Sequence, residues 1–257
     1  MEPKVIFEDD SILVLDKPAG WIVNDAITTK GQNVVQKWLS NMTYPLAMNS
    51  EMRSGIVHRL DKETSGILLV AKTKEAFENL QREFKERKVD KTYTALVHGN
   101  VEHLPADGEG VINVPVGRLP WNRERFGVLP GGREAETRYR VISHFTLPTT
   151  KSKTHFSRTK SSDYSLLTLF PKTGRTHQIR VHLKYLGHSV VSDEFYAGRK
   201  TSRKDKEWCP RLFLHAVSIT FVHPVSGKKV TFKSDLSSDL ESALKKLSTS
   251  RHSTIGG

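Results

Sequence analysis

The sequence predicts an α+β protein with a mixed, mainly antiparallel central sheet and flanking helices. Two observations predict it. Short apolar runs bounded by Gly, Pro and Asn recur along most of the chain, the pattern of strands closed by turns. Among them are scattered only a few segments whose apolar residues return at helical spacing. Hydrophobic residues make up 37% of the 257 residues, enough for a real core in one domain or two closely joined lobes.

The elements follow in order. Ile12-Leu13-Val14-Leu15 reads as a strand, broken by Pro18 and Gly20. Val34, Val35, Trp38 and Leu39 recur at helical spacing and predict a helix over about 32–41. Ile67 to Ala71 is a strand, and Ala76, Phe77, Leu80 and Phe84 then give an amphipathic helix over about 74–87. Further strands are expected at Tyr93 to His98, near Val111 to Val116, at Thr137 to Ser143 and at Leu166 to Phe170. A helix is expected over about 176–186. Phe213 to Val222 and Lys229 to Lys233 read as a hairpin turning at Pro224 to Gly227, and a short helix follows at about 239–247.

Two basic stretches poor in apolar residues, 149–162 and 198–206, read as long surface loops. The second carries Arg199, Lys200, Arg203, Lys204 and Lys206. Residues 248–257 read as a disordered polar tail, which leaves one catalytic domain over 1–247.

Lys and Arg total 40 against 28 Asp and Glu, a formal net charge of +12. That excess argues for a polyanionic partner, nucleic acid first and an anionic membrane surface second. The membrane is set aside because no run approaches the ~20 apolar residues of a span and no strongly basic amphipathic helix stands out. Cys209 is the single cysteine, so no intrachain disulfide forms, as suits a reducing compartment. The start, with Met1-Glu2-Pro3-Lys4 and soon Glu8-Asp9-Asp10, lacks the character of a signal or transit peptide. A cytoplasmic location is expected.

The run His58-Arg59-Leu60-Asp61-Lys62-Glu63-Thr64-Ser65-Gly66 carries the most chemistry. It places one carboxylate between two cations in what reads as the turn after a strand, with the strand Ile67-Leu68-Leu69-Val70 following. Nearby positive charge favours the ionised acid, and a fixed carboxylate can act as a nucleophile. Taken alone, the run is better read as a turn Asp in a surface salt bridge, since short motifs have many false positives. No Gly-rich phosphate loop is present. His177 and His182 are five apart, off the i, i+4 spacing of two ligands on one helical face, and a lone Cys with scattered His is a weak zinc case. No metal and no cofactor are expected.

Two more segments, Lys91-Thr92-Tyr93-Thr94-Ala95-Leu96-Val97 and Thr173-Gly174-Arg175-Thr176-His177-Gln178-Ile179-Arg180-Val181-His182-Leu183, stand in order behind the Asp61 run. Asp16-Lys17-Pro18-Ala19-Gly20 precedes them, and Leu214-His215-Ala216, His223-Pro224 and Gly227 follow. In this order they resemble the RluA family of pseudouridine synthases, over about Val5 to Leu240. The resemblance implies the pseudouridine synthase fold and the isomerisation of uridine in RNA. That reaction breaks the N1–C1′ bond, turns the base and forms a C5–C1′ bond, with nothing oxidised and nothing released.

The resemblance also implies roles. Asp61 matches the catalytic aspartate, with attack at C1′, a glycal formed by deprotonation at C2′, and attack at C6 all open. Arg180 matches its basic partner, expected to hold Asp61 by two parallel hydrogen bonds; the competing reading has it bind phosphate from an exposed helix face. Tyr93 matches a tyrosine that stacks on the uracil and helps remove the C5 proton. Arg59 matches a residue that fills the gap left by the flipped base. Arg175 and His177 are read as substrate-binding. His58 has no role beyond supporting the turn, and Thr64, Ser65 and Gly66 shape it.

One departure stands out. Where the family continues with an apolar pair and His-Pro, this chain has Trp21-Ile22-Val23-Asn24-Asp25. No S4-type RNA-binding domain precedes the matching region, so RNA holding is expected from the catalytic domain and its loops. Ribosomal RNA is the first substrate class and transfer RNA the second, for a chain expected to act as a monomer. A non-catalytic RNA-binding protein on the same fold is the alternative, but all of Asp61, Tyr93 and Arg180 are present. A nucleic-acid hydrolase would want a second carboxylate or a metal site near these motifs.

Overall fold

A computed structural model describes residues 1–102, 108–148 and 162–249. In chain order the strands are β1 (Lys4–Glu8), β2 (Ile12–Lys17), β3 (Ser65–Ala71), β4 (Asp90–His98), β5 (Glu109–Asn113), β6 (Val116–Leu119), β7 (Asn122–Val128), β8 (Glu136–Leu147), β9 (Ser162–Pro171), β10 (Leu214–Val222), β11 (Lys229–Lys233) and β12 (Ser248–Thr249). The helices are α1 (Val35–Leu39), α2 (Lys74–Lys85), α3 (Gln178–Tyr185), α4 (Arg199–Asp205) and α5 (Ser238–Lys245). This is the expected α+β class. The chain divides into two compact units: residues 1–93, 170–177 and 214–237, and residues 94–169, 178–213 and 238–257. No described helix is long and apolar enough to cross a membrane.

The first unit is built on the strand order β1-β2-β3-β10, with β11 paired to β10. β1–β2, β2–β3 and β10–β11 are antiparallel, while β3 and β10 run parallel through Ser65↔His215 and Gly66↔Ala216. Every residue of β3 is buried, as its unbroken apolar run requires. Leu69 and Ile67 pack with Leu80 of α2 and Phe221 of β10 in one core cluster. α2 starts where the Thr73 side chain accepts a hydrogen bond from the Ala76 N–H at 3.2 Å, a cap worth about 1 kcal/mol. Glu75 in its first turn and Arg82 and Lys85 in its last complement the helix dipole.

In the second unit the strand order is β4-β9-β8-β12, with β5 paired to β8 and a separate β6–β7 hairpin. α3 docks through polar groups. Gln178 Nε2 donates to the Glu136 carbonyl and Thr137 Oγ1, both at 3.0 Å. One turn on, the His182 ring meets Thr137 Oγ1 at 2.9 Å and the Val114 carbonyl at 3.1 Å. Burial lowers the pKa of His182.

Four expectations need correction. The stretch read as a loop over 198–206 holds helix α4, seated by Asp205, whose carboxylate takes His98 Nε2 and the Ser192 N–H, each at 2.9 Å. Its buried residues are Ser202 and Asp205, so the helix has no apolar stripe to reveal it. Ser248 and Thr249, read as part of the tail, pair with Thr146 and Phe145, and the rest of that expectation lies outside the described residues. The helix read over 32–41 is only Val35–Leu39. The Asp61 turn does not follow a strand: it follows the 3-10 turn Arg53–Gly55 and an isolated bridge between Ile56 and Val70. The other basic stretch, 149–162, lies almost wholly outside the described residues.

Candidate active site

The Asp61 turn is set by its neighbours in the first unit. Gly66 has φ +107°, and a Cβ there would lie 2.2 Å from the Ala216 carbonyl oxygen. Only glycine lets β3 and β10 approach at this point. Beside it, Ser65 Oγ meets His215 Nδ1 at 2.8 Å. Thr64 N–H closes the turn on the Asp61 carbonyl at 3.2 Å.

On the other side, Lys17 is fully buried, and an ammonium is tolerated there only when hydrogen-bonded. Its Nζ donates to the carbonyls of Pro18, Trp21 and Lys62 at 2.9, 3.0 and 3.1 Å. The Lys62 carbonyl also accepts the Gly20 N–H at 2.8 Å. The peptide next to Asp61 is therefore tied to the Asp16–Gly20 turn. Sequence reading placed Lys17 in a matching segment but gave it no task; a lysine closing an apolar strand was the available signal.

His58 has a structural task. Its Nε2 accepts the Leu69 N–H at 2.8 Å, and its ring stacks on Phe84 at 5.0 Å. Burial, with the nearby Lys91 charge adding, pushes its pKa down to about 3. It is a neutral acceptor that holds the inner edge of β3. Burial likewise lowers Lys91, to about 8.

Asp61 keeps 16% of its side chain exposed, and its Oδ2 lies 4.0 Å from His177 Nε2, an ion pair only when that ring is protonated. His177 has φ +56°, the left-handed region uncommon for a residue with a side chain. Tyr93 is buried. Burial raises its pKa well above the ordinary phenol value, and the Asp61 charge raises it further. Tyr93 is thus a neutral phenol within electrostatic reach of Asp61. The first unit brings Asp61, Tyr93 and His177 together; Arg59 is exposed on the turn and Arg175 is half-buried.

Arg180 belongs to α3 in the second unit. Its two-bond carboxylate contact is made with Asp193: Nε to Oδ2 at 2.8 Å and Nη2 to Oδ1 at 2.9 Å. The expected two-bond contact was with Asp61; Asp193 is a carboxylate partner that the expectation did not include. Asp193 Oδ1 also accepts the backbone N–H groups of Phe195 and Tyr196 at 2.9 and 3.1 Å. The guanidinium sits 5.4 Å from the Phe195 ring centre and 5.0 Å from that of Tyr196. Arg180 is buried, which also removes the reading of a phosphate grip from an exposed helix face. Asp193 carried no motif in the sequence and was missed.

A mixed sheet with an aspartate turn, a buried tyrosine and an arginine-bearing helix defines the class. The RNA pseudouridylate synthase family model matches residues 11–185, and the chain belongs to that family. The expected family, and with it an isomerase acting on RNA, is borne out. The chain is 35% identical over 255 residues to Ribosomal large subunit pseudouridine synthase D of Nitrosomonas europaea, covering 98% of this chain and 67% of that protein. To Ribosomal large subunit pseudouridine synthase C of Vibrio cholerae it is 37% identical over 248 residues, covering 96% and 70%. Among solved structures, Human RNA Pseudouridylate Synthase Domain Containing 1 superimposes with a TM-score of 0.66 at 25% identity, covering 96% of this chain and 89% of that one. The chain spans about two thirds of the length of these curated relatives.

Proposed function

We propose that this chain isomerises uridine to pseudouridine in structured RNA, ribosomal RNA first and transfer RNA second, with Asp61 as the covalent catalyst. The observation that carries this reading is the Asp61 turn itself: its peptide is tied by Lys17 and Thr64 while its carboxylate stays partly exposed. A fixed carboxylate suits nucleophilic attack, and the C1′, glycal and C6 routes all begin from it. Tyr93, held neutral, supplies a stacking face for the uracil and an O–H that can relay the C5 proton. Arg180, fixed by Asp193 and two rings, supplies a stationary cation. Arg59, exposed on the turn, fills the duplex when the target base is extruded. Arg175 and His177 hold substrate.

The names of two relatives favour ribosomal RNA. The same reading has the chain act as a monomer in the cytoplasm. The test is a map of pseudouridines across total RNA from cells with and without the gene. Loss of one or more ribosomal RNA sites is expected. Loss confined to transfer RNA would move the substrate, and no loss at all would contradict the proposal.

A further inference from the structure

The second unit holds a cavity of about 390 Å³ that the proposed chemistry leaves unused. Its walls come from β7 (Arg125), the segment after Asp193 (Glu194 and Phe195) and one face of α4. Helical spacing splits the basic residues of α4. Arg199 and Arg203, four apart, line the cavity with Ser202 and Lys206, whereas Lys200 and Lys204 do not.

The charge inside is unbalanced. Lys206 pairs with Glu194, which neutralises the one acid in the lining. Among the described residues neither Arg199 nor Arg203 has an ion pair or hydrogen bond. Arg125 lies 5.9 Å from the Phe195 ring centre. Three guanidinium groups therefore meet at one cavity with no carboxylate to balance them.

A second observation points to a ligand. Ser202 is only 3% exposed, and its Oγ has no hydrogen-bond partner among the described residues. A buried hydroxyl left unsatisfied costs about 1–3 kcal/mol, and such groups in native proteins usually mark a missing partner. The Oγ is closed off from the open cavity as it stands, and a side-chain rotation toward an anion held by Arg199 and Arg203 would give it acceptor oxygens.

We infer that this cavity holds a nucleotide unit of the RNA substrate, gripping its phosphate with Arg199, Arg203 and Arg125 and seating its sugar or base against Phe195. Guanidinium forks match phosphate oxygens. The volume exceeds that of a phosphate alone and lies in the range of small-ligand pockets. With its guanidinium groups given to phosphate and Glu194 paired with Lys206, the site positions RNA without choosing sequence. The inference rests on the RNA reading above and extends it to a second contact point.

The test measures affinity for a ribosomal RNA hairpin with single-stranded flanks, by fluorescence anisotropy across a salt series. Arg199→Gln/Arg203→Gln is compared with Lys200→Gln/Lys204→Gln, which removes the same charge from the other face of α4. The first pair should bind about tenfold or more weakly, and its salt slope should flatten by up to about 0.7, the share of one phosphate contact on a single strand. The second pair should stay within about twofold of wild type, because exposed charges off the site contribute only to the general field. Ser202→Ala should weaken binding by a smaller factor. Equal losses in the two pairs, or none in the first, would overturn the inference. So would uridine monophosphate that saturates the cavity without displacing RNA, which would make it a free-nucleotide site. If the predicted pattern appears but the wild type makes no pseudouridine, this inference stands and the proposed activity fails.

Discussion

The turn that carries Asp61 and the loop that carries Asp193 hold a carboxylate by opposite means. At Asp61 the backbone is held: the Thr64 N–H closes on its carbonyl, and Lys17 and Gly20 clamp the next carbonyl. The side chain is left 16% exposed. At Asp193 the side chain itself is consumed by the Arg180 fork and two backbone N–H groups, and none of it is exposed. An acid spent on four hydrogen bonds is scaffold. An acid whose main chain is fixed and whose side chain keeps some exposure can meet a substrate.

The largest effect on stability is expected where this contrast is greatest. Asp193→Ala takes a two-bond carboxylate partner from a buried guanidinium, and breaking such a pair costs about 3–5 kcal/mol. The melting temperature should fall by on the order of 10 °C, measured by calorimetry. Arg180→Lys keeps the charge but loses the fork, so it should fall on the same side of wild type by a smaller amount. A melting temperature unchanged in Asp193→Ala would erase the distinction between the two loops.

Next comes Gly66→Ala. The new Cβ meets backbone rather than a flexible side chain, at 2.2 Å from the Ala216 oxygen. Parting β3 and β10 should cost on the order of 3 kcal/mol, read from denaturant unfolding. A neutral result would mean that the Asp61 turn tolerates movement of the strand behind it.

The effect that is smallest near neutral pH and grows only on acidification concerns His58. The folded pKa of His58 is depressed to about 3, below the unfolded value of ~6.5. The unfolded chain therefore binds the extra proton first. The stability that neutral His58 contributes is present above about pH 6.5 and is lost as pH falls toward 3. His58→Gln still offers an acceptor to Leu69 but does not titrate, so its unfolding free energy should fall less steeply than that of the wild type through this window. Parallel curves would remove His58 as a titrating support of the turn.

What the sequence disclosed follows from where information is local. β3 and the β10–β11 hairpin were legible because their apolar runs and the Pro224–Gly227 turn are contiguous. α4 was not, because its seat is a buried Asp205 bonded to His98, over a hundred residues away. β1 escaped notice because Val5, Ile6 and Phe7 lie between charged residues and stay partly exposed. Asp61, Tyr93 and Arg180 were singled out through their motifs. Asp193 was not, because a motif names residues and leaves their tertiary contacts open, and thirteen positions on from Arg180 it had nothing local to mark it. Lys17 was visible as a residue, but its grip on the Lys62 carbonyl spans 45 positions.

The division of labour between the two aspartates is tested most directly by tritium release from RNA containing 5-tritiated uridine, with each protein normalised to its folded fraction. Asp61→Asn is nearly isosteric and should melt close to wild type and bind RNA with nearly unchanged affinity. It should release no tritium above background, a loss of at least about a thousandfold, as expected when a covalent catalyst is removed. Asp61→Asn releasing tritium within tenfold of the wild-type rate would contradict the account.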